Sequence, residues 1–496
     1  MKVRVRNISR IVPLSDITAK GICRAIVITV ICPVVARACQ PNHAESPNII
    51  FIMADDLGYG DLGCYGQEII KTPNIDRLAA EGMKFTQFYA GCTVSAPSRS
   101  SLITGLHTGH TPVRGNKHFR GGDYPHPEGT YTISKMLKYN GYATGCFGKW
   151  GLGAPSTEGA PHQQGFDSFF GYNSQALAHH YYPYYLWSNQ DTVWLEGNRG
   201  NATGQYAQDM IHENAIRFIR THKDRPFFAY LTYVIPHAEL VNPDDSIFAM
   251  YDGKFSEKPY QGVDNGPSFR KGPYGSTSHP KTDFAAMVTR LDAYVGDICH
   301  TLKELGIDRN TVVIFTSDNG PHVEGGADPA YFKSSGTLRG VKRDLYEGGI
   351  RVPFIAWYPS KIKAGSVNRH VAAFWDVMAT LAELTKTKTP ENTDGISFLP
   401  TLYGKKKQRQ HEYLYWEFHE QGGKMAVRKA EWKAIRLNVN HSQKTIVELY
   451  DLSDDIREQH NVAEQHPEIV AEMLKIMQEA HQYSAPFPFD FEKIIL

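Results

Sequence analysis

Asn48-Ile49-Ile50-Phe51-Ile52-Met53-Ala54 is apolar after its first residue and stops at Asp55-Asp56. A strand covered on one face alternates apolar and polar residues. One covered on both faces reads as a continuous hydrophobic run. The segment therefore predicts an inner strand of a parallel sheet. Its two carboxylates fall at the strand's C-terminal end, where open α/β sheets bind ligands. The plainer alternative is that one of them only caps the next turn.

The same pattern recurs downstream. Residues 226–234 form a second buried run, leading to Ile235-Pro236-His237. Thr311-Val312-Val313-Ile314-Phe315-Thr316-Ser317 is a third, closed by Asp318-Asn319-Gly320. Residues 142–147 read as a strand running into Gly148-Lys149-Trp150-Gly151-Leu152-Gly153, and 83–90 alternate as a strand would. Helical patterns fit 73–83, 133–139, 205–222 and 282–305. Strands and helices alternate to about residue 385, which predicts an α/β domain with helices on both faces of its sheet. Lys386 to Pro390 is a polar connector. Strand-like segments at 411–418, 424–429, 432–437 and 446–450, then a helix at 467–481, predict a smaller C-terminal α+β domain. Residues 170–200, rich in aromatics, read as an irregular loop.

Directly after the 83–90 strand comes Cys92-Thr93-Val94-Ser95-Ala96-Pro97-Ser98-Arg99, running into Leu102-Ile103-Thr104-Gly105. Proline suits the first turn of a helix. Ser95 then sits at a helix N-terminus, with Arg99 one turn later on the same face. A hydroxyl there beside a guanidinium suits a doubly charged oxyanion. A simple Ser/Pro cap is the competing reading.

Asp55, Asp56, Asp318 and Asn319 are all hard oxygen donors, a set that favours Ca²⁺ or Mg²⁺ over zinc. Lys149, His237 and Lys342 add cationic or proton-transferring groups. Together they suggest metal-assisted displacement at a tetrahedral anionic centre.

The 496 residues carry 53 Lys+Arg against 52 Asp+Glu, a net charge of +1, which argues against nucleic-acid binding by bulk charge. The N-terminus is basic, with Lys2, Arg4, Arg6, Arg10, Lys20 and Arg24 before an apolar run from Ala25 to Ala36 and then Ala36-Arg37-Ala38-Cys39. That is the pattern of a signal peptide over residues 1–38, followed by a linker at 39–46. The run is too short to span a membrane. Cys39 would be the first mature residue, which also admits a lipid anchor. The chain has 7 cysteines and no CxxC pair; disulfides are open to it, but nothing sets a pairing or an oligomeric state.

Ser95-Ala96-Pro97-Ser98-Arg99 with Leu102-Ile103-Thr104-Gly105 resembles the signature of the type I, formylglycine-dependent sulfatases of the alkaline phosphatase superfamily. The resemblance runs from Pro47 to the Glu448–Leu452 segment. It implies an alkaline phosphatase-like fold: a large mixed, mainly parallel sheet between helices over 47–385, and an antiparallel-sheet subdomain over 386–496. It implies that Ser95 is oxidised to formylglycine (3-oxoalanine), whose hydrate attacks sulfur. It matches Asp55, Asp56, Asp318 and Asn319 to the ligands of one Ca²⁺, joined by residue 95. Arg99 matches the holder of the modified residue, Lys149 and Lys342 the lysines at the sulfate, and His237 a candidate general acid. Serine at the modified position resembles the version matured by a radical sulfatase-maturing enzyme. That implies such an enzyme as partner and an anaerobic bacterium as source, with the protein periplasmic or surface-associated.

One position departs from the pattern. The family often has Gly-Lys-Trp-His-Leu-Gly, and this chain has Gly151 in place of the histidine thought to act as base. His107, His110 and His162 are substitutes by proximity alone. The expected substrate is a sulfated glycan, with sulfated galactose or N-acetylgalactosamine suggested by the resemblance. Sugar contacts are expected from the loops at 118–125 and 170–196 and the segment ending in His419, with His118, His179, His180 and His419 singled out. A phosphomonoesterase or phosphonate hydrolase of the same superfamily, and an inactive glycan-binding relative, are the competing readings.

Overall fold

β1 (Asn48–Ala54) is buried along its whole length, as its composition requires. Its side chains divide between two cores. Ile50, Ile52 and Ala54 enter one; Ile49, Phe51 and Met53 enter the other. Each core is closed by helices. On the first face lie α1 (Pro73–Glu81), α4 (Ala207–Thr221) and the long α5 (Pro280–Glu304). On the second lie α2 (Ser95–Thr104), α3 (Ile133–Tyr139) and α6 (Asp376–Leu384). The result is the three-layer α/β sandwich that the apolar runs predict. This computed structural model describes residues 46–119 and 122–493. The signal peptide over 1–38, the possible lipid anchor at Cys39 and most of the 39–46 linker lie outside the described residues.

The other strands of the sheet are β2 (Met83–Tyr89), β3 (Ala143–Lys149), β4 (Ser168–Tyr172), β5 (Tyr185–Ser188), β6 (Asp191–Trp194), β7 (Phe227–Thr232), β8 (Thr311–Ser317), β9 (Arg351–Trp357) and β10 (Ser366–Asn368). Their order is β10-β2-β9-β8-β1-β7-β3-β4-β5-β6, with the two residues Ala372–Ala373 also paired to β2. β1 runs parallel to both neighbours, β8 and β7, and β7 parallel to β3. Only β9 and β5 run against the rest. The sheet is therefore mixed and mainly parallel. The C-terminal ends of β1, β3, β7 and β8 meet at one edge, which carries Asp55, Lys149, His237 and Asp318.

The irregular loop expected over 170–200 is corrected by the structure. The sheet continues through it as β4 and the β5–β6 hairpin. Most of β6 is exposed, so no burial pattern marks it in the sequence. β3 also runs two residues past its expected end, to Lys149 itself.

The C-terminal residues form a four-stranded antiparallel sheet: β11 (Leu414–Phe418), β12 (Lys424–Lys429), β13 (Trp432–Leu437) and β14 (Ile446–Asp451). Strand alternation again splits the side chains. Leu414, Trp416, Phe418, Ala426 and Ile435 pack toward Tyr89, Val94 and Trp375 of the larger layer. Tyr415, Met425, Val427 and Leu449 pack under α7 (Pro467–Ala480). A buried ionic cluster joins the two parts: Lys433 lies 2.9 Å from both Glu347 and Glu458. Cys64, Cys92, Cys146 and Cys299 are free thiols. No helix among the described residues is long and apolar enough to cross a membrane.

Candidate active site

α2 begins at Ser95 itself, after an extended Val94 that provides no side-chain cap. The Ser95 hydroxyl does not cap the helix. It donates to Asp55 Oδ1 at 3.0 Å and accepts from Lys149 Nζ at 3.3 Å. The simple capping reading therefore fails. Arg99, one turn on, reaches Asp318 Oδ2 at 2.9 Å and Asp55 Oδ2 at 3.3 Å through Nη2, and the Lys149 carbonyl at 2.9 Å through Nη1. Lys149 Nζ closes the group at 2.7 Å from Asp55 Oδ2.

A second set surrounds Asp56. Its Oδ2 lies 2.7 Å from Lys342 Nζ and 3.5 Å from His237 Nε2. Its Oδ1 accepts from Asn319 Nδ2 at 2.7 Å, and its own N–H donates to Asp318 Oδ1 at 3.0 Å. Asp56 has φ +63°, left-handed backbone that a non-glycine residue adopts only when its surroundings enforce it. The bend turns its carboxylate toward Asn319 and Lys342. All nine residues, Asp55, Asp56, Ser95, Arg99, Lys149, His237, Asp318, Asn319 and Lys342, are buried.

Burying three carboxylates together has electrostatic consequences. Burial works to raise the Asp55 pKa, but Lys149, His237, Arg99 and Lys342 hold it well below the ordinary carboxylate value. Asp318 goes the other way, pushed up to about 7 by burial and by the neighbouring Asp55 carboxylate against the pull of Arg99. Asn319 Oδ1 is buried without a hydrogen-bond partner. An orphaned amide oxygen beside mutually repelling carboxylates is a donor set that a hard divalent cation would satisfy. Asp55, Asp56 and His237 also present donor atoms within 4.8 Å of one another. The residues fit a metal ion.

His237 donates from Nδ1 to the Ala238 carbonyl, which leaves Nε2 with its lone pair toward Asp56. Burial, reinforced by the nearby Lys342 cation, keeps its pKa well below the ordinary histidine value. The free site thus presents a neutral ring. The ring lies near-parallel to His179, at 5.2 Å, and to His322, at 5.8 Å. His322 was not legible as a site residue. Its Nε2 donates to the Pro236 carbonyl at 3.0 Å and its Nδ1 lies 3.4 Å from Glu324, which also pairs with Arg343.

The expected sugar contacts divide. His179 Nδ1 donates to the Gly272 carbonyl at 2.6 Å, and burial lowers its pKa to about 4, so it is a neutral ring beside His237. His118 is exposed and faces Asp123 across a short two-residue ladder. His180 is corrected: it is buried, with Nδ1 on Glu239 at 3.2 Å and Nε2 accepting the Gly272 N–H at 3.2 Å, so both nitrogens are used inside the protein. His419 bonds Glu417 at 2.9 Å and stacks on Phe489 at 4.1 Å, tying it to the C-terminal segment.

The substitutes for a histidine at Gly151 are also corrected. His107 and His110 stack on each other at 4.1 Å and pair with Asp394. His162 lines a separate surface pocket with Glu128 and Lys135. None bonds a residue of the Ser95 cluster. A cavity of about 1040 Å³ is lined by His107, Trp375, Lys407 and His411 and by none of the nine clustered residues. Convergent chemistry, not volume, marks the site.

Residues 47–387 match the family described as Sulfatase, and residues 341–483 match the one described as N-sulphoglucosamine sulphohydrolase, C-terminal. The chain is 30% identical to an N-acetylgalactosamine-6-O-sulfatase of Bacteroides thetaiotaomicron, over 96% of this chain and 99% of that protein. It is 32% identical to human arylsulfatase A, over 90% of each. A crystal structure described as Ps i-CgsB in complex with k-i-k-neocarrahexaose superposes with a TM-score of 0.75 at 28% identity, covering 91% of this chain and 96% of that one.

Proposed function

The chain belongs to the sulfatase family and is a sulfuric ester hydrolase, and we propose that it removes sulfate from a glycan using oxidised Ser95 as nucleophile and one bound calcium ion. The observation that carries this reading is the Ser95 hydroxyl. It leaves its helix uncapped in order to sit between Asp55 and Lys149, among three carboxylates and three cations.

Asp55, Asp56, Asp318 and Asn319 would hold the calcium, which would act as a Lewis acid on a sulfate oxygen. Formylglycine at position 95 would supply a hydrated aldehyde oxygen for attack on sulfur. Arg99 and Lys149 hold that end of α2 in place and present positive charge where the ester's oxygens gather charge. Lys342 does the same on the Asp56 side. His237 is neutral in the free site because of burial and Lys342. A sulfate ester brings negative charge that opposes the push of Lys342, so His237 can take a proton from water at Nε2 and give it to the ester oxygen as the S–O bond breaks. Ser95 Oγ, Lys149 Nζ and Arg99 are already hydrogen-bonded to one another's partners, so little reorganisation is needed on binding.

Sulfated galactose or N-acetylgalactosamine is the proposed substrate class. It is supported by a bacterial relative named for N-acetylgalactosamine 6-O-sulfate and by a structural neighbour bound to a neocarrahexaose. The basic leader and short apolar run support export, and serine at position 95 supports maturation by a serine-type radical enzyme. The test is co-expression with such a maturase, followed by mass spectrometry of the peptide carrying Ser95 and sulfate release from defined sulfated sugars. The expected peptide has lost two hydrogens, and Ser95→Ala releases no sulfate. Full activity from a protein whose Ser95 is unmodified would refute the mechanism.

A further inference from the structure

Gly151 has φ +75°, and a Cβ built there would meet Gln175 Cγ at 3.4 Å and Asp123 Oδ2 at 3.9 Å. Two polar side chains thus lie against bare backbone, two residues from the lysine that contacts Ser95. They are also joined to each other. The Gln175 N–H donates to Asp123 Oδ2 at 2.9 Å, and Gln175 Nε2 donates to Asn116 Oδ1 at 3.4 Å. That same Asn116 oxygen accepts the Ala96 N–H at 3.1 Å, the backbone group next after Ser95. A polar arc therefore runs from the start of α2 through Asn116 and Gln175 to Asp123.

The arc's outer ends face solvent. Asn116 Nδ2 and Gln175 Oε1 have no hydrogen-bond partner among the described residues, which leaves one donor and one acceptor. Asn116 is exposed and Gln175 half-buried, so both are reachable, while Asp123 is 2% exposed and fixed. The charge is also informative. The arc's charged side chain is the Asp123 carboxylate, which burial disfavours and which its hydrogen bond from Gln175 and the nearby Lys149 favour. An anionic sulfate goes to the cations; what comes to the arc is uncharged.

We infer that Asn116, Gln175 and Asp123 form a recognition wall for the hydroxyl or acetamido groups neighbouring the sulfate ester. The inference rests on the sulfatase reading and names the side chains that select its sugar. The wall contacts the sugar ring and takes no part in breaking the S–O bond.

The test compares a sugar-free aryl sulfate with 6-sulfated galactose and 6-sulfated N-acetylgalactosamine, using the matured full-length enzyme. Gln175→Ala removes one side-chain amide from the wall; Asn116→Ala also removes the acceptor of the Ala96 N–H beside Ser95, a cost that the aryl sulfate shares and that the ratio of the two substrates cancels. The expected result is about a tenfold fall in the ratio of kcat/KM for sugar sulfate to kcat/KM for aryl sulfate, carried by KM. Asp123→Asn keeps the shape and removes the charge, and lowers the same ratio. If the larger fall is on the acetamido sugar, the wall reads the amide; if on galactose, the hydroxyl. A ratio unchanged in all three variants overturns the inference. Aryl sulfate turnover by the wild-type enzyme tests the underlying reading separately, so the two failures are distinguishable.

Discussion

Arg99→Ala is the most direct test of how the site is held together. The guanidinium is 1% exposed, and its Nη2 sits between Asp318 at 2.9 Å and Asp55 at 3.3 Å. Removing it affects the two acids differently. Asp55 keeps Lys149 at 2.7 Å. Asp318 makes no ion pair among the described residues except that with Arg99, and burial and Asp55 already push its pKa up to about 7. Breaking a buried pair by deleting one partner costs about 3–5 kcal/mol, here because Asp55 loses one of its cations and Asp318, left without any, must take up a proton in the interior. The Lys149 carbonyl loses its Nη1 donor too, which adds about 1–3 kcal/mol. Against a total stability of about 5–15 kcal/mol, the variant is left only marginally folded. Arg99→Lys keeps one charge but cannot span both acids and the carbonyl, so it should fall between. The assay is urea unfolding followed by tryptophan fluorescence, with midpoint and slope fitted together. Arg99→Ala within about 1 kcal/mol of wild type would refute the reasoning, since that is the scale of a surface pair.

Two further predictions concern the C-terminal sheet. In the Lys433 cluster, Glu347 is held at about 2 because Lys433 and Arg351 overcome the effect of burial, whereas burial raises Glu458 to about 7. Glu347→Gln should therefore cost about 3–5 kcal/mol of unfolding free energy at pH 7, and Glu458→Gln under about 1 kcal/mol; equal costs in urea titrations would contradict this assignment. His481 bridges Glu417 at 2.6 Å and Glu492 at 2.8 Å, which raise its pKa against the effect of burial. Its contribution is complete below the unfolded histidine pKa of about 6.5 and is lost as pH rises through the higher folded value. Glu417, held at about 2 by His419 and His481 against burial, contributes about 3 kcal/mol above pH about 4.5 and loses it as pH falls toward 2. The Tm gap between wild type and His481→Gln should thus be widest near pH 5–6 and close toward pH 9; a gap flat across that range would exclude a charged His481 bridge.

The sequence carried the inner strands because burial on both faces leaves no choice of composition. β8 keeps its expected bounds at Thr311–Ser317, and β1 ends at its acid pair. Where burial is one-sided or absent the signal fades, as at the exposed β6. Proximity along the chain also misled. His107 follows Ser95 by twelve residues, but α2 lies between them, and ten helical residues span about 15 Å. The helix that presents Ser95 to the metal-type cluster carries His107 to its far end, beside Asp394. His322 and Glu324 were missed for the opposite reason. They follow Asp318-Asn319 closely, yet their relation to His237 exists only through the parallel neighbours β8, β1 and β7. Asn116 and Asp123 belong to one short two-stranded ladder and its approach, Gln175 follows β4, and no spacing rule joins them.

The charges of the site lead to one more consequence. Three carboxylates, Asp55, Asp56 and Asp318, face three cations, Arg99, Lys149 and Lys342, so the bare site is close to neutral. A neutral buried site attracts an anion weakly. A divalent cation on the free Asn319 oxygen and the carboxylates gives it two surplus positive charges, close to the charge of a sulfate dianion. Metal and anion should therefore bind cooperatively, and the coupling must be reciprocal: whatever factor calcium adds to sulfate affinity, sulfate adds to calcium affinity. A coupling of about 1–3 kcal/mol, or roughly 5- to 150-fold, is the usual range. Calorimetric titration of the unmodified Ser95→Ala protein with inorganic sulfate, in chelator and in calcium, measures it without turnover. Each ligand alone should raise Tm modestly, and the pair by more than the sum. Equal sulfate affinity with and without calcium would mean that the carboxylates are balanced for their cations alone, and that the orphaned Asn319 oxygen has another partner.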